Sequence, residues 1–96
     1  MDSLVTYDIA TADRGGARRL ARVARVCEGY GLRVQKSVFE CRLSPEAHER
    51  LVSELVDVID PRCDSVRIYR FNGPVDISRT TLGVATAVQP GDLWIV

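Results

Sequence analysis

The sequence predicts an α+β fold in which an antiparallel sheet carries two helices on one face. Strand-like runs rich in β-branched and aromatic residues alternate with helical patterns in the order β, α, β, α, β, β. Each helical pattern is apolar along a single stripe, so each helix is expected to pack one side against the sheet and to expose its other side to solvent. The chain has 96 residues, which is a typical length for a single domain. Together these observations indicate a ferredoxin-like two-layer sandwich over residues 1–96, with a core of residues 3–71 and an extension of residues 72–96.

Residues 3–9, Ser-Leu-Val-Thr-Tyr-Asp-Ile, form the predicted first strand. Apolar side chains fall on both of its faces, which is typical of a strand at the centre of a sheet. Asp8 is the exception, because aspartate is depleted in strands and is seldom buried without a partner. Such a carboxylate caps the next element, pairs with an arginine or binds a metal, and composition does not choose among the three.

A loop over residues 10–16 leads to the first helix, which we expect to begin at Ala17 and to be stopped by Gly29 and Gly31. Gly15 and Gly16 let the loop backbone turn sharply or approach a ligand. The predicted buried stripe of this helix comprises Leu20, Ala21, Val23, Ala24, Cys27 and Tyr30.

The next segment, residues 33–43, is strand-like, but its alternation slips. Phe39, Cys41 and Leu43 share one face, whereas Val34 and Val38 share the other. The polar residues between them, Gln-Lys-Ser at 35–37, are expected to form either a β-bulge or a very tight hairpin turn.

Ser44, Pro45 and Glu46 predict the start of the second helix, because they supply a hydroxyl N-cap, a proline at the first helical position and an acid at the positive end of the dipole. We expect Pro61 to end it and His48 to be a surface residue. The predicted buried stripe comprises Ala47, Leu51, Leu55, Val58 and Ile59.

Residues 64–71 are predicted to form a further strand, in which Val66 and Ile68 face one way and Arg67, Tyr69 and Phe71 the other. A turn over residues 72–74 follows, and residues 75–78 are expected to form a short strand. The apolar residues 93–96 complete the protein's own sheet or add to the edge of a second copy. Because two helices cover only one face of the sheet, we expect the other face to be buried in a homodimer.

Composition limits the class of protein. Three cysteines at unrelated spacings and one histidine indicate neither a disulfide framework nor a zinc site, so all three cysteines are expected to be small apolar residues in a reducing cytosol. No apolar run approaches the roughly 18 residues that span a bilayer. We therefore expect a soluble, cytoplasmic protein without membrane contact.

Charge is unevenly distributed although the net charge is zero. Residues 14–36 carry seven basic side chains against one acid, whereas residues 44–64 carry six acids against two arginines. This dipolar pattern permits phosphate contact on one side of the molecule only. Arg18, Arg22 and Arg25 form a row on the first helix that is either a solvated surface or a contact for phosphate. A GC-rich genome would also explain the abundance of arginine, but not its clustering.

Three segments carry a resemblance to a known family: Val-Thr-Tyr-Asp-Ile at residues 5–9, Tyr-Gly-Leu-Arg-Val-Gln-Lys-Ser-Val-Phe-Glu-Cys at 30–41, and Asp-Ser-Val-Arg-Ile-Tyr at 64–69. In order and spacing they resemble the CRISPR-associated protein two family over residues 3–71. The resemblance implies a ferredoxin-like homodimer that partners the CRISPR integrase in capturing new spacers. Some members of that family are described as metal-dependent endonucleases on RNA or on double-stranded DNA.

The resemblance also implies site residues. Asp8 is the position that the family associates with the metal and with catalysis. We expect Mg²⁺ there, with the Asp8 carboxylates of two protomers meeting at a two-fold axis, because one carboxylate per chain is too few for a dedicated site. The candidate residues for nucleic-acid binding are Arg14, Arg18, Arg19, Arg22 and Arg33, and the candidate supporting residues are Tyr7, Ser37 and Phe39.

Three functions remain open at this point. The first is a CRISPR adaptation subunit with endonuclease activity. The second is the same dimer acting only as a scaffold for DNA and the integrase, and the third is a toxin-type messenger RNA ribonuclease of similar fold.

Overall fold

The structure is a computed structural model that describes residues 1–84. Its elements follow the order β1 (Asp2–Asp8), α1 (Gly16–Glu28), β2 (Gly31–Gln35), β3 (Val38–Arg42), α2 (Pro45–Val58), β4 (Ser65–Phe71) and α3 (Val75–Ser78). The α+β class and the ferredoxin-like layout are confirmed. The apolar residues 93–96, for which we predicted a strand in this sheet or in that of a second copy, lie outside the described residues.

The sheet has the strand order β2-β3-β1-β4, and every neighbouring pair is antiparallel. The first strand lies between β3 and β4, as its apolar content predicts. Val5 is directly opposite Phe39 on one side and Ile68 on the other, so these three side chains share one face of the sheet. Both long helices pack on this face, and the hydrophobic core lies between the two layers.

The core confirms most of the predicted buried positions. Val23 and Cys27 of α1 are fully buried, as are Phe39 and Cys41 of β3. Ala21 was predicted in the buried stripe and is exposed, because it lies one position past the stripe, where the helix has turned by about 100°.

All three cysteines are free thiols; Cys27 and Cys41 are buried, as small apolar residues usually are, whereas Cys63 is exposed in the turn before β4. Burial raises the pKa of the Cys27 thiol to about 12 and that of the Cys41 thiol to about 11. These two thiols therefore remain protonated near neutral pH.

The sequence left open whether residues 35–37 form a β-bulge or a hairpin turn, and the structure has both features here. Lys36 and Ser37 form a two-residue turn between β2 and β3. The pairing register also shifts between Arg33 and Gln35, which is the signature of a bulge. The shift reconciles the two alternation phases, because Val34 and Val38 remain half-buried while Phe39 is fully buried.

Helix α2 begins as predicted, with the Ala47 amide donating to the Ser44 hydroxyl at 3.2 Å. The prediction that His48 is a surface residue is wrong, because only 2% of it is exposed. Positions 48, 51 and 55 are spaced as i, i+3 and i+7, so His48 lies on the same buried stripe as Leu51 and Leu55.

Residues 75–78 form one helical turn and not the predicted strand. The Val75 amide donates to the buried carboxylate of Asp2 at 2.7 Å, which holds the chain after Pro74 in a helical turn. The sheet face opposite the helices is partly covered by the chain itself. Arg79 forms an ion pair with Glu40 at 3.2 Å on this face, and residues 79–84 border a concavity of about 340 Å³ there. Across residues 1–84 no helix is long and apolar enough to cross a membrane.

Candidate functional site

Asp8 is the last residue of β1, and its side chain is exposed on the sheet face that the helices leave uncovered. Tyr7 is buried on the opposite face, as the alternation of a strand requires. Asp8 is paired with Ser65 of β4, and Thr6 with Arg67. These four side chains and Tyr7 line an open concavity of about 270 Å³.

Within residues 1–84, the carboxylate of Asp8 has neither a hydrogen bond nor an ion pair. The two structural roles that the sequence left open for it, capping and arginine pairing, belong instead to Asp64. The fully buried side chain of Asp64 accepts from the amides of Ala10 at 3.0 Å and Asp60 at 2.8 Å, and from Arg19 Nε at 2.8 Å. The Arg19 guanidinium holds the pKa of Asp64 at about 2, well below its usual range.

Arg19 ties the loop that follows Asp8 to the start of β4. Besides Asp64, its guanidinium donates to the Ala10 carbonyl at 3.2 Å and to the Asp13 carboxylate at 3.0 Å. Four groups from the loop, α1 and the start of β4 therefore converge on one point. This network fixes the path of the chain immediately after Asp8, and it engages the Arg19 side chain within the protein.

The predicted supporting residues lie behind Asp8, towards the helices. The rings of Tyr7 and Phe39 stack at 6.2 Å between centres, and the guanidinium of Arg33 lies 5.1 Å from the centre of the Phe39 ring. The Tyr7 hydroxyl donates to the Lys36 carbonyl at 3.4 Å, and the Tyr7 amide donates to the Ser37 carbonyl at 3.1 Å. The hairpin turn is thereby fastened to the end of β1, which holds the backbone of Asp8 in place.

The remaining arginines of the prediction are exposed on or before α1. Arg14, Arg18 and Arg22 have no hydrogen bond or ion pair to any residue in the range 1–84. Arg22 and Arg25 border a groove whose other wall carries Glu54 and Asp57 of α2. None of these arginines lines the concavity at Asp8, so the two parts of the predicted site are separate features of this chain.

No group of three or more histidine, cysteine, aspartate or glutamate side chains lies close enough to hold a metal ion in the described part of the chain. The donors beside Asp8 are the hydroxyls of Thr6 and Ser65, so the concavity offers oxygen ligands, which Mg²⁺ prefers. One carboxylate and two hydroxyls are fewer than the six oxygen ligands that Mg²⁺ takes, so these residues fit only part of a metal site.

Two features of the site were missed by reasoning from the sequence. Asp64 was taken as the first residue of a strand, whereas it precedes β4 and joins the network around Arg19. Arg67 was correctly predicted to face away from Val66 and Ile68, but it was not connected with Asp8. The signal that connects them is the pairing register of β1 with β4, which depends on tertiary packing and not on the local pattern.

The fold and these features define a small ferredoxin-like protein with an exposed carboxylate at the end of its central strand, which has no ion pair within residues 1–84, and a separate row of exposed arginines. The chain belongs to the family described as "CRISPR associated protein Cas2", whose model matches residues 1–75. This confirms the resemblance identified in the sequence, and it favours the CRISPR family over the toxin-type ribonucleases.

Relatives in other bacteria are similar over most of the chain. The CRISPR-associated endonuclease Cas2 of Halalkalibacterium halodurans is 49% identical over 89 residues, which is 93% of each chain. The CRISPR-associated endoribonuclease Cas2 1 of Moorella thermoacetica is 48% identical over 71 residues, which is 74% of each chain. The crystal structure of Streptococcus pyogenes Cas2 at pH 6.5 superposes with a TM-score of 0.77 at 41% identity, covering 86% of this chain and 100% of that one.

Proposed function

We propose that this protein is a CRISPR adaptation subunit that cleaves phosphodiester bonds of nucleic acid with the help of Mg²⁺. One observation supports the proposal above the others. Asp8 presents a free carboxylate to solvent at the end of a rigidly held strand, while the neighbouring Asp64 is the carboxylate that takes the structural contacts. A charged group that is held in place but has no partner within the described residues is available to a ligand.

The chemistry requires two copies of the chain. Asp8 of each protomer would supply one carboxylate to a shared Mg²⁺ ion, with the hydroxyls of Thr6 and Ser65 as further oxygen donors beside it. When bound, the ion supplies charge stabilisation and an activated water. Hydrolysis adds the water oxygen to phosphorus and breaks the bond to the sugar oxygen, which takes one proton of the water, and the product phosphate retains the other. The network around Arg19 and the turn at Ser37 keep the Asp8 backbone fixed throughout.

The exposed arginines Arg14, Arg18 and Arg22 supply contacts to the phosphate backbone away from the site of cleavage. The relatives are named both endonuclease and endoribonuclease, so duplex DNA and RNA are the two substrates to compare. In the adaptation machinery the partner of the dimer is the CRISPR integrase.

A scaffold without catalytic activity is the second candidate. It is favoured by the small number of metal donors, since the chain brings one free carboxylate and two hydroxyls together at the concavity. In that case the same surfaces would bind DNA and the integrase, and Asp8 would hold a structural ion or none.

Replacing Asp8 with asparagine separates the two candidates, because Asp8→Asn keeps size and hydrogen bonding but removes the charge. As a nuclease, the variant should cleave duplex DNA or RNA at least roughly 100-fold more slowly than wild type. Its dimer and its salt-dependent affinity for nucleic acid should be retained. Glu49→Gln is the matched control, because it removes an exposed charge from α2, and it should cleave at the wild-type rate.

All proteins in this comparison should be purified identically and assayed over a Mg²⁺ and EDTA series, so that a contaminating nuclease is recognised. Metal-dependent cleavage that is equal in wild type and in folded Asp8→Asn would refute the catalytic role. The scaffold function would then be the one to pursue.

A further inference from the structure

We propose that Arg67 binds the scissile phosphate beside Asp8 and is a catalytic residue of the same site. The proposal rests on the proposed function for its catalytic part. The chemical class of ligand is a phosphodiester of nucleic acid, bound through a non-bridging oxygen.

The register of β1 and β4 places the two side chains on one face. Thr6 is opposite Arg67 and Asp8 is opposite Ser65, so Asp8 and Arg67 are diagonal neighbours across the strand pair. The Cα atoms of diagonal neighbours in an antiparallel pair are separated by about 7–8 Å. Both line the concavity of about 270 Å³, in which Arg67 is the only arginine among the residues that the structure describes.

These two opposite charges do not pair with each other. Arg67 has no ion pair or hydrogen bond with any residue of the described range 1–84, although it shares the concavity with a carboxylate. Arg19, Arg42 and Arg62, by contrast, each pair with a neighbouring acid, and their closest nitrogen–oxygen distances are 2.8 Å, 2.9 Å and 3.0 Å. The gap between Asp8 and Arg67 is therefore open to a ligand that contacts both sides.

A phosphodiester group suits this gap by size and by charge. Hydrogen bonds from a guanidinium to a phosphate oxygen are about 2.7–2.9 Å long, and the concavity of about 270 Å³ that both side chains line leaves space for a phosphate group. A carboxylate alone repels a phosphate, whereas a cation on the side of Asp8 and the guanidinium on the other side both attract it. Arg67 thus holds a non-bridging oxygen, where negative charge increases in the transition state, and it transfers no proton.

Arg70 is the natural comparison for Arg67. It lies three residues further along the same strand and is also exposed. In the strand register it is opposite Ser3, so its side chain is on the other face of the sheet. Removing Arg70 changes the net charge of the protein as much as removing Arg67 does. It leaves the concavity at Asp8 unchanged.

The test compares Arg67→Gln, Arg67→Lys and Arg70→Gln as full-length proteins. Glutamine keeps most of the side-chain stem, and thermal melts check that each variant folds. With a duplex DNA or RNA oligonucleotide and Mg²⁺, kcat of Arg67→Gln should fall roughly 100-fold to 1,000-fold, as for loss of one donor to a developing oxyanion. Arg67→Lys should recover part of the loss, and Arg70→Gln should retain the wild-type kcat.

Binding is measured separately, with the same duplex DNA in EDTA and in an Asp8→Asn background, where cleavage plays no part. Arg67→Gln should lower the slope of log affinity against log salt by about 0.9, which corresponds to one phosphate contact, and Arg70→Gln should not. If wild type does not cleave, the proposed function fails while this slope still decides the role of Arg67. A slope and affinity equal to those of Arg70→Gln would overturn the proposal, whatever the cleavage rates.

Discussion

At the scale of single residues, Asp8 and Asp64 show how surroundings divide the roles of two similar carboxylates. The side chain of Asp64 is buried and accepts hydrogen bonds from Arg19, Asp60 and Ala10, which hold its pKa at about 2. It is therefore charged at every physiological pH, and its charge is used for structure. Asp8 lies at the other side of the same strand pair and remains free for a ligand. The contacts that order the end of the strand are therefore made by Asp64 and Arg19 and not by Asp8, the candidate catalytic residue.

His48 is a buried residue that should make stability depend on pH. Burial lowers its pKa below the ordinary value of 6.5, and the cations that face it, Arg70 and the amino group of Met1, lower it further. Its Nε2 atom has no hydrogen-bond partner within residues 1–84. The unfolded chain therefore binds a proton that the folded protein resists, so stability is complete above pH 6.5 and falls as the pH drops below it.

Thermal melts of wild type and His48→Gln between about pH 5 and pH 7 check this prediction, because His48 is the chain's single histidine. The wild-type stability should change by at most about 1.4 kcal/mol per pH unit, and the slope should be much shallower in His48→Gln. Glu49→Gln, on the exposed side of α2, should keep the wild-type slope. Parallel curves for wild type and His48→Gln would show that His48 does not titrate in this window.

At the scale of elements, the position of α1 depends on one close approach to the loop after Asp8. A Cβ atom added at Gly16 would lie 2.1 Å from the Ala10 carbonyl oxygen and 2.5 Å from the Cα of Thr11. Both are backbone atoms, so a side chain at this position forces the helix and the loop apart. The same loop carries the contacts of Arg19, and the glycine therefore serves the network that follows Asp8.

Gly16→Ala should destabilise the protein by about 1–3 kcal/mol, the usual cost of overpacking. The measurement is the free energy of unfolding in urea. Gly73→Ala is the control, because a Cβ there meets nothing within 4 Å, and it should have little effect. Equal stability of the two variants would mean that α1 can move away from the loop without loss.

The arginine row on α1 gives a second prediction at this scale. Replacing Arg18 and Arg22 together with alanine should lower the slope of log affinity against log salt for duplex DNA by up to about 1.8, or about 0.9 per phosphate contact. Arg62→Ala removes an arginine that is 87% exposed but paired with Asp60, and it should leave the slope unchanged. An unchanged slope in the double variant would place the row on a solvated or protein-binding surface.

Local patterns predicted the elements themselves well, because capping and alternation are properties of short stretches. The start of α2 at Ser44 is an example, since its hydroxyl, Pro45 and Glu46 act within one turn. The errors concern tertiary packing. His48 looks like a surface residue among acids until the position of the buried stripe against the sheet is known. The site at Asp8 was predicted through one residue, whereas its link to Arg67 requires the register of two strands far apart in the chain.

At the scale of the whole molecule, the sheet has two unequal faces. Helices α1 and α2 pack on one face, whereas on the other face the described part of the chain adds only residues 79–84. Tyr69 remains 47% exposed on that second face, opposite Leu4, and Asp8 lies on the same face. The free carboxylate and the exposed aromatic residue are therefore presented together, as a site shared between two copies requires.

The last prediction is that two copies associate through this face. Light scattering at micromolar concentration should give the mass of a dimer, because a specific interface buries about 800 Å² on each partner and the partly covered sheet face offers apolar area for it. Tyr69→Asp places a charge in that interface and should raise the dissociation constant roughly tenfold or more, which is about 1.4 kcal/mol. Val56→Asp is the control, since Val56 is 64% exposed on α2 in the opposite layer, and it should remain dimeric. If wild type has the mass of a monomer, or if Val56→Asp dissociates while Tyr69→Asp does not, the shared site at Asp8 cannot form through this face. The Mg²⁺ site would then lack its second carboxylate, and metal-dependent cleavage by Asp8 would lose its structural basis.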